Sequence, residues 1–199
     1  MYNDLKKEQK NVTACSKWES LYPMHDFDWK EIFEMPYSVA RETYLQSFHY
    51  KLINRYLACN VNLHKWNKAP NPHCHDCKKL DTLEHHLYEC QKLQPFWNNL
   101  FTWLHDIYGL RINLSIFDIL FGITNVNNDK LFDVFNYCIL FAKDFIYNTK
   151  INRTEVLFRE YVPKLLISLE AEQFLASSQN KLDDFYLKWN DILTKGKNN

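Results

Sequence analysis

Apolar residues recur along most of this chain at spacings of three and four, the period of an α-helix rather than of a strand. Over residues 39–57 one stripe is formed by Leu45, Phe48, Leu52 and Tyr56. This stripe predicts an amphipathic helix that buries one face against a core. The next residues, 60–66, predict one or two further turns with Leu63 and Trp66 pointing inward.

A shorter helix is expected before this one. Asp28 and Glu31 have the side chains of a capping box, and Pro36 marks the expected end of the helix. The side chains predicted to dock it on the rest of the molecule are Trp18, Trp29, Ile32 and Phe33.

The second half of the chain repeats the helical pattern. Pro95 and Gly109 predict the start and the end of an aromatic-rich helix, and a capped short element is expected from Ser115 to about Gly122. Residues 128–148 are apolar nearly all round, which is typical of a central buried helix. Two more helices are expected. One begins near residue 154 and has a kink or break at Pro163, and the other covers residues 179–193.

Composition agrees with an ordered helical protein. Trp, Tyr and Phe make up 16% of the 199 residues and there are only three glycines, which argues against an all-β design. We predict an all-α fold with three parts that form one compact unit. These are a flexible segment over 1–16, a region with a basic helix and a metal site over 17–97, and a helical region over 98–195 packed on it.

The expected compartment is intracellular, cytoplasmic or nuclear, and reducing. The first ten residues are polar and lack the apolar stretch of a signal peptide. The most apolar segment, 131–147, is interrupted by charged and amide side chains, so it predicts no membrane span. A reducing compartment favours metal-binding thiolates over disulfides. Outside the metal site, Cys15, Cys59 and Cys138 are expected to be buried or half-buried thiols.

A metal site is predicted by four residues within seventeen positions. Cys74 and Cys77 form a Cys-x2-Cys pair, and His85 and Cys90 form a His-x4-Cys pair. Three thiolates and one imidazole suit tetrahedral Zn²⁺ and disfavour Ca²⁺ and Mg²⁺. His86 competes with His85 as the fourth ligand, and an isolated Cys-x2-Cys pair is also found as a redox pair. A complete Cys3His set leaves no open position for a reacting water, so we expect one structural zinc ion.

Basic residues are concentrated just before and within this metal segment. Residues 36–80 contain seven basic side chains and two acidic ones, although the whole chain is neutral with 24 of each sign. The seven candidates for contacting a nucleic acid are Arg41, Lys51, Arg55, Lys65, Lys68, Lys78 and Lys79. Their neighbours include aromatic residues, and cations beside aromatics can bind phosphates and stack on bases. The alternative is that their stems cover the rim of the core and leave their charges in water.

No catalytic motif is recognisable. The chain has no Walker loop, no glycine-rich dinucleotide loop and no Ser/His/Asp arrangement. The acidic pair Asp183 and Asp184 lies in the first turn of a predicted helix, where acids favour the helix dipole. We therefore expect no catalytic residues, no small-molecule substrate and no enzyme activity in this chain alone.

Residues 41–97 resemble a known zinc-binding region. The resemblance is carried by Arg41, by Ser-Phe-His-Tyr-Lys-Leu-Ile-Asn-Arg-Tyr-Leu over 47–57, by Asn-Leu-His-Lys-Trp over 62–66, by both Cys pairs with Thr-Leu-Glu-His over 82–85, and by Leu-Gln-Pro-Phe-Trp over 93–97. The region follows the reverse transcriptase in LINE-type (non-LTR) retrotransposon proteins. The resemblance places the family's histidine on His85 rather than His86, and it is weak in the helical tail.

This resemblance implies a non-catalytic C-terminal domain of a larger reverse transcriptase and endonuclease. Such a domain would bind the element's RNA, or target DNA, during target-primed reverse transcription. The chain would then be a fragment, a truncated copy or a domesticated remnant, and its partners would include the polymerase domain. The alternative function is a structural or protein-interaction domain that docks on the polymerase core or on a host protein.

Overall fold

The computed structural model describes residues 14–111, 113–123 and 130–196. Their helices are α1 over residues 14–21, α2 Trp29–Val39, α3 Thr43–Ile53, α4 Asn60–Lys65, α5 Gln94–Tyr108, α6 Ile116–Phe121, α7 Lys130–Ile151, α8 Phe158–Ser178 and α9 Leu182–Lys195. A π-helical turn, His85–Glu89, and a 3-10 turn, Gln91–Leu93, connect the metal segment to α5. Within these ranges the extended backbone forms a single isolated bridge, between His73 and Leu80. The predicted all-α class is confirmed.

Helix α7 is the centre of the molecule. Residues 134–143 are all buried, and α2, α3, α8, α9 and the π-helical turn pack around the helix. The prediction of a central buried helix is confirmed for its described residues, and residues 128 and 129 lie outside them. Aromatic side chains supply much of the surrounding core, including the fully buried Trp18, Trp97 and Trp189.

Several predicted helix ends are confirmed by their caps. The Asp28 carboxylate accepts a hydrogen bond from the Glu31 N–H at 2.9 Å, and Ser115 and Asp118 form a reciprocal capping box. Helix α5 has a proline in its first turn and ends at Gly109, whose φ of 71° closes the helix in the left-handed region.

Other helices end in the left-handed region without glycine. After α3, the Arg55 N–H donates to the Leu52 carbonyl and the Tyr56 N–H to the Lys51 carbonyl, which is the Schellman pattern. Arg55 has a φ of 58°, and Asn67 and Asn180 have φ values of 57° and 55° after α4 and α8. Because the chain has only three glycines, Arg and Asn take the left-handed positions that end these helices. At each of these positions the backbone changes direction directly after the helix.

The helix end expected at Pro36 and the break expected at Pro163 are wrong, and the alternative of a kink at Pro163 stays a prediction. Helix α2 continues through Pro36 to Val39, and α8 continues through Pro163 without a break. Pro36 cannot donate to the Ile32 carbonyl four residues earlier, and the buried ring of His49 supplies a donor instead, with Nε2 3.0 Å from that oxygen. Because a carbonyl only accepts, the proton is on Nε2; the pKa of His49 is far below its usual range through burial and the nearby Lys143 charge.

Two side chains that were expected to point inward are exposed. Tyr56 is 45% exposed and Trp66 is 46% exposed. Tyr56 lies beyond the turn at Arg55, so the helical period no longer determines its direction, and Trp66 caps the end of α4. The other members of the predicted stripe, Leu45, Phe48 and Leu52, are buried as expected.

The proposed division of the chain stays a prediction. Its boundary after residue 97 falls inside α5, and α7 from the second region packs on α2 and α3 from the first. Residues 14–16 belong to α1, and residues 1–13 lie outside the described part. No helix among the described residues is long and apolar enough to cross a membrane.

Candidate metal centre

Residues 72–81 form a tight loop, here called the metal hairpin, that brings Cys74 and Cys77 together. The Cys74 N–H donates to the Lys79 carbonyl at 2.7 Å, and the Lys78 N–H donates to the Cys74 carbonyl at 3.0 Å. Lys78 takes a φ of 63°, which lets the chain turn back immediately after Cys77. The Asp81 N–H closes the base of the hairpin on the Pro72 carbonyl at 2.9 Å.

The π-helical turn brings His85 and Cys90 to the same place. Thr82 starts it, with its hydroxyl oxygen accepting from the His85 N–H at 3.2 Å. The Cys90 N–H then donates to the His85 carbonyl five residues earlier, at 3.2 Å. A π-turn has this i to i+5 bond, so the four-residue spacer between His85 and Cys90 is matched by the local structure. An α-helical turn would place residues i and i+4 one above the other instead.

The hairpin and the π-helical turn together form a Cys3His group. One ligand atom from each of Cys74, Cys77, His85 and Cys90 lies within 4.8 Å of the others. The Cys90 sulfur is 3.9 Å from the Cys74 sulfur and 3.8 Å from the Cys77 sulfur, and Nε2 of His85 is 3.1 Å from the Cys77 sulfur. This group could hold a metal ion, and it contains the four residues that the sequence predicted.

Comparisons with known proteins add nothing to this geometry. No protein-family model matches the chain, and no curated protein sequence matches it. The resemblance to the LINE-type region therefore stays a prediction.

The neighbouring histidines lie outside the ligand group. His86 turns away from it, and its Nδ1 is 3.0 Å from a carboxylate oxygen of Asp81. His73 and His75 are exposed on the hairpin, and His75 faces Asp76 at 3.6 Å. The choice between His85 and His86 is thus decided by the hydrogen bond that holds His86 elsewhere.

The pKa values of His85 and Cys77 are shifted towards the forms that bind a metal, whereas that of Cys90 is shifted away from its thiolate form. Burial and the Lys150 charge lower the pKa of His85, which keeps the imidazole neutral. Burial acts to raise the pKa of Cys77, but hydrogen bonds from the Lys79 backbone and from the other thiols lower it overall. Burial raises the pKa of Cys90 to about 12. A bound cation would reverse this last effect, because a coordinating thiol loses its proton outright.

The predicted nucleic-acid contacts differ in their surroundings. Six are exposed, namely Arg41, Lys51, Lys65, Lys68, Lys78 and Lys79. Of these, Arg41 lies 3.8 Å from Glu172 and 3.2 Å from Gln179. Arg55 is mostly covered, because its guanidinium lies 3.9 Å from the ring centre of Trp18 and 3.4 Å from Glu84. Arg55 is therefore already engaged within the molecule.

One further basic residue, Lys17, lies near Arg55 and Lys65 and was not among the seven contacts that the sequence predicted. The charges of Arg55 and Lys65, together with burial, lower the pKa of Lys17. Lys17 is brought there by Trp18, whose indole N–H donates to the Ile53 carbonyl at 2.8 Å at the end of α3. The sequence predicted that Trp18 docks on the rest of the molecule, and Trp18 is buried, but its partner 35 residues away left no local signal.

Proposed function

We propose that this chain is a zinc-stabilised, non-catalytic helical module that binds nucleic acid, RNA or target DNA. The observation that carries the proposal is the Cys3His group, whose ligand atoms lie within 4.8 Å of one another beside a basic surface. The metal supplies the structure, and the residues around it supply the contacts.

The ligand set and its dimensions fit zinc. Two sulfurs that are each about 2.3 Å from a tetrahedral ion lie about 3.8 Å apart. Two of the three sulfur pairs of the group, Cys77 with Cys90 and Cys74 with Cys90, are separated by 3.8 and 3.9 Å. Four protein ligands fill the coordination of zinc, so the ion has a structural role and activates no water. In small domains such a site contributes roughly 10–16 kcal/mol of apparent binding free energy.

The surface beside the metal combines charge with exposed rings. Lys65 is the last residue of α4 and Lys68 follows it, and the Asn60 side chain at the start of α4 donates to the His73 carbonyl of the hairpin at 2.7 Å. Helix α4 therefore lies beside the metal hairpin, both elements carry exposed lysines, and Tyr56 and Trp66 are exposed in the same part of the chain. Lysines can bind phosphates while exposed rings stack on bases, which suits a single strand or an unpaired loop.

The family resemblance gives the proposal its biological setting. In LINE-type proteins a region similar to residues 41–97 accompanies a reverse transcriptase and supports target-primed reverse transcription. This chain would then act next to a polymerase domain of a parent protein. The resemblance predicts a Phe/Tyr-x-Asp-Asp polymerase motif upstream of residue 1 in the parent reading frame.

Metal analysis and binding assays test the two halves of the proposal separately. We expect one zinc ion per freshly purified chain, and a chain without zinc would contradict the metal assignment. Structured RNA, single-stranded DNA and duplex DNA should be titrated at about 50 and 200 mM salt, because phosphate contacts make affinity steeply salt-dependent. Failure to bind any of the three at the lower salt concentration would rule out nucleic-acid binding.

A charge-matched pair of variants tests the surface. Reversal of Lys51, Lys65 and Lys68 to Glu should weaken binding at least tenfold and flatten its salt dependence, by roughly one unit of slope per lost phosphate contact. The control reverses Lys30, Lys130 and Lys181, which are also exposed and lie outside the basic stretch 36–80. Equal losses in both variants would show attraction by net charge alone and would contradict a defined surface.

The alternative function, protein interaction, is favoured by a different surface. On α8, Ile167 and Phe174 are 64% and 75% exposed at a spacing of seven residues, and Leu187 on the adjacent α9 is 68% exposed. Exposed apolar groups on adjacent helices are typical of a docking face. Substitution of all three by Ser should abolish binding to the parent polymerase domain and leave nucleic-acid affinity unchanged. Unchanged polymerase binding would contradict this alternative.

A further inference from the structure

One lysine from the body of the molecule reaches the metal group. Lys150 lies in the last turn of α7, and its side chain is only 7% exposed. Its ammonium group is 3.9 Å from the Cys74 sulfur and 3.2 Å from the His86 carbonyl oxygen, both as a donor, and 3.8 Å from the Asp81 carboxylate. Residues 74 and 150 are separated by 76 positions, so this contact is purely tertiary.

Charge counting shows what the ammonium does there. Three thiolates, a neutral imidazole and one divalent zinc ion give a net charge of about −1. Cys74 and Cys90 are almost fully buried, and an uncompensated charge in such a place is costly. The Lys150 ammonium lies beside one of these thiolates and beside the Asp81 carboxylate, so its single positive charge offsets part of their combined negative charge. A hydrogen bond to a ligating sulfur also fixes the sulfur's direction.

Asp81 links Lys150 to the metal hairpin through a network of hydrogen bonds and an ion pair. Its carboxylate accepts from the Asn60 N–H at 2.9 Å and contacts Nδ1 of His86 at 3.0 Å, and it pairs with Lys150. Its carbonyl accepts from the Val61 N–H at 3.2 Å. Asp81 is 1% exposed, so this group of polar contacts is buried. It connects α4, the metal hairpin, the π-helical turn and the end of α7.

We propose that Lys150 is a positioning residue of the metal centre, which compensates the Cys74 thiolate and couples metal binding to the end of α7. The proposal rests on the proposed zinc binding. According to this proposal, the metal group requires the positive charge of Lys150 and not only the packing of its aliphatic stem. The exposed lysines of the hairpin cannot replace it, because their ammonium groups are in water, where charge pairing is worth little.

The test compares Lys150→Arg, which keeps the charge, with Lys150→Gln, which keeps a donor and loses the charge. Lys79→Met is the control, because it removes an exposed charge from the same hairpin. Zinc affinity is measured on the full chain by competition with a chromophoric chelator. We expect Lys150→Gln to bind zinc about 10- to 100-fold more weakly, the usual effect of removing an outer partner of a ligand. Lys150→Arg should retain most of the affinity, and Lys79→Met should remain within about threefold.

Cobalt substitution provides a readout that a loss of general stability would not produce. The sulfur-to-cobalt charge-transfer band should shift in Lys150→Gln and return towards the wild-type position in Lys150→Arg. Equal zinc affinity and equal cobalt spectra in Lys150→Gln and wild type would overturn the proposal. If Lys150→Gln does not fold at saturating zinc while Lys150→Arg does, the requirement for charge is met. If both fail to fold, the charge is not what matters and the proposal is overturned.

The two proposals fail in different ways. A wild-type chain that binds no zinc contradicts the proposed function before any variant is made. A wild-type chain that binds one zinc ion, together with variants that bind it as well, contradicts only the role of Lys150.

Discussion

The metal hairpin and the helical body around α7 are stabilised by different means. In the body, whole helices bury large side chains, and residues 134–143 are covered on every side. In the hairpin, residues 72–81, the buried side chains are Cys74 and Asp81, while Leu80 is 52% exposed. A segment that buries so little apolar surface cannot offset the entropy of ordering it, so it needs a metal or a disulfide. The two regions should therefore respond to different perturbations.

Metal removal is expected to have the largest effect, and to act on the hairpin first. Chelation, or Cys90→Ala, should remove hydrogen-exchange protection from residues 72–90 and cost on the order of several kcal/mol. The amides of residues 134–143 in α7 should keep most of their protection, because these residues are buried in the helical body, whereas the last turn of α7, whose Lys150 contacts Cys74, should lose part of it. Hydrogen exchange with and without chelator measures both.

The control for this experiment is Cys15→Ala. Cys15 is half-buried on α1 and is not one of the four ligands. The Cys15→Ala variant should bind one zinc ion per chain, and its hydrogen exchange should equal that of the wild type. A uniform loss of protection over the whole chain after chelation would contradict the distinction between the two regions.

A cavity in the helical body should destabilise the body and leave zinc binding by the metal hairpin unchanged. Leu140 in α7 is fully buried, and Leu140→Ala should cost about 2–5 kcal/mol of unfolding free energy through lost contacts and the cavity left behind. Urea denaturation at saturating zinc measures this. At zinc saturation the stoichiometry should remain one ion per chain, because Leu140 is not a ligand. Loss of zinc at temperatures where the variant is folded would show that the regions are not separable.

What the sequence could predict depends on whether a feature is determined by neighbouring residues or by tertiary contacts. The Cys-x2-Cys pair, the His-x4-Cys pair and the helix boundaries at Asp28, Ser115 and Gly109 are local signals, since each involves residues within about five positions. The tolerance of Pro36 depends on His49, and the Lys150 contact depends on the packing of α7 against the hairpin. Both are decided by tertiary structure, and a single sequence contains no pattern that reports them. The exposure of Tyr56 follows from a left-handed turn at Arg55, which the absence of glycine concealed.

A buried lysine gives the body a pH dependence that the hairpin does not share. Lys143 is fully buried, its ammonium nitrogen is 2.9 Å from the Leu120 carbonyl oxygen, and burial lowers its pKa to about 7. Between about pH 7 and 10 the unfolded chain keeps this proton while the folded chain loses it, so stability rises with pH. In Lys143→Met this contribution is absent. The stability of wild type relative to the variant should therefore rise, by at most about 1.4 kcal/mol per pH unit.

Urea midpoints of both proteins at pH 7, 8 and 9 check this difference, with zinc held at saturation so that its own pH dependence cancels. Lys181→Met is the control, because Lys181 is exposed. A difference between wild type and Lys143→Met that stays constant over this pH range would contradict the assignment of the titrating group.

The smallest effect concerns a single hydrogen bond in the body, and it separates local from tertiary causes. His49→Leu leaves the Ile32 carbonyl without a donor and should cost about 1–3 kcal/mol. In Pro36→Ala the new backbone N–H can reach the same carbonyl, as in any α-helix. The cost of His49→Leu should therefore be smaller by about 1 kcal/mol in that background. A double-mutant cycle by urea denaturation measures the coupling, and additive effects would mean that His49 is retained for its packing instead. Zinc affinity should be equal in all four proteins, because this hydrogen bond joins α2 and α3 and includes no residue of the metal segment.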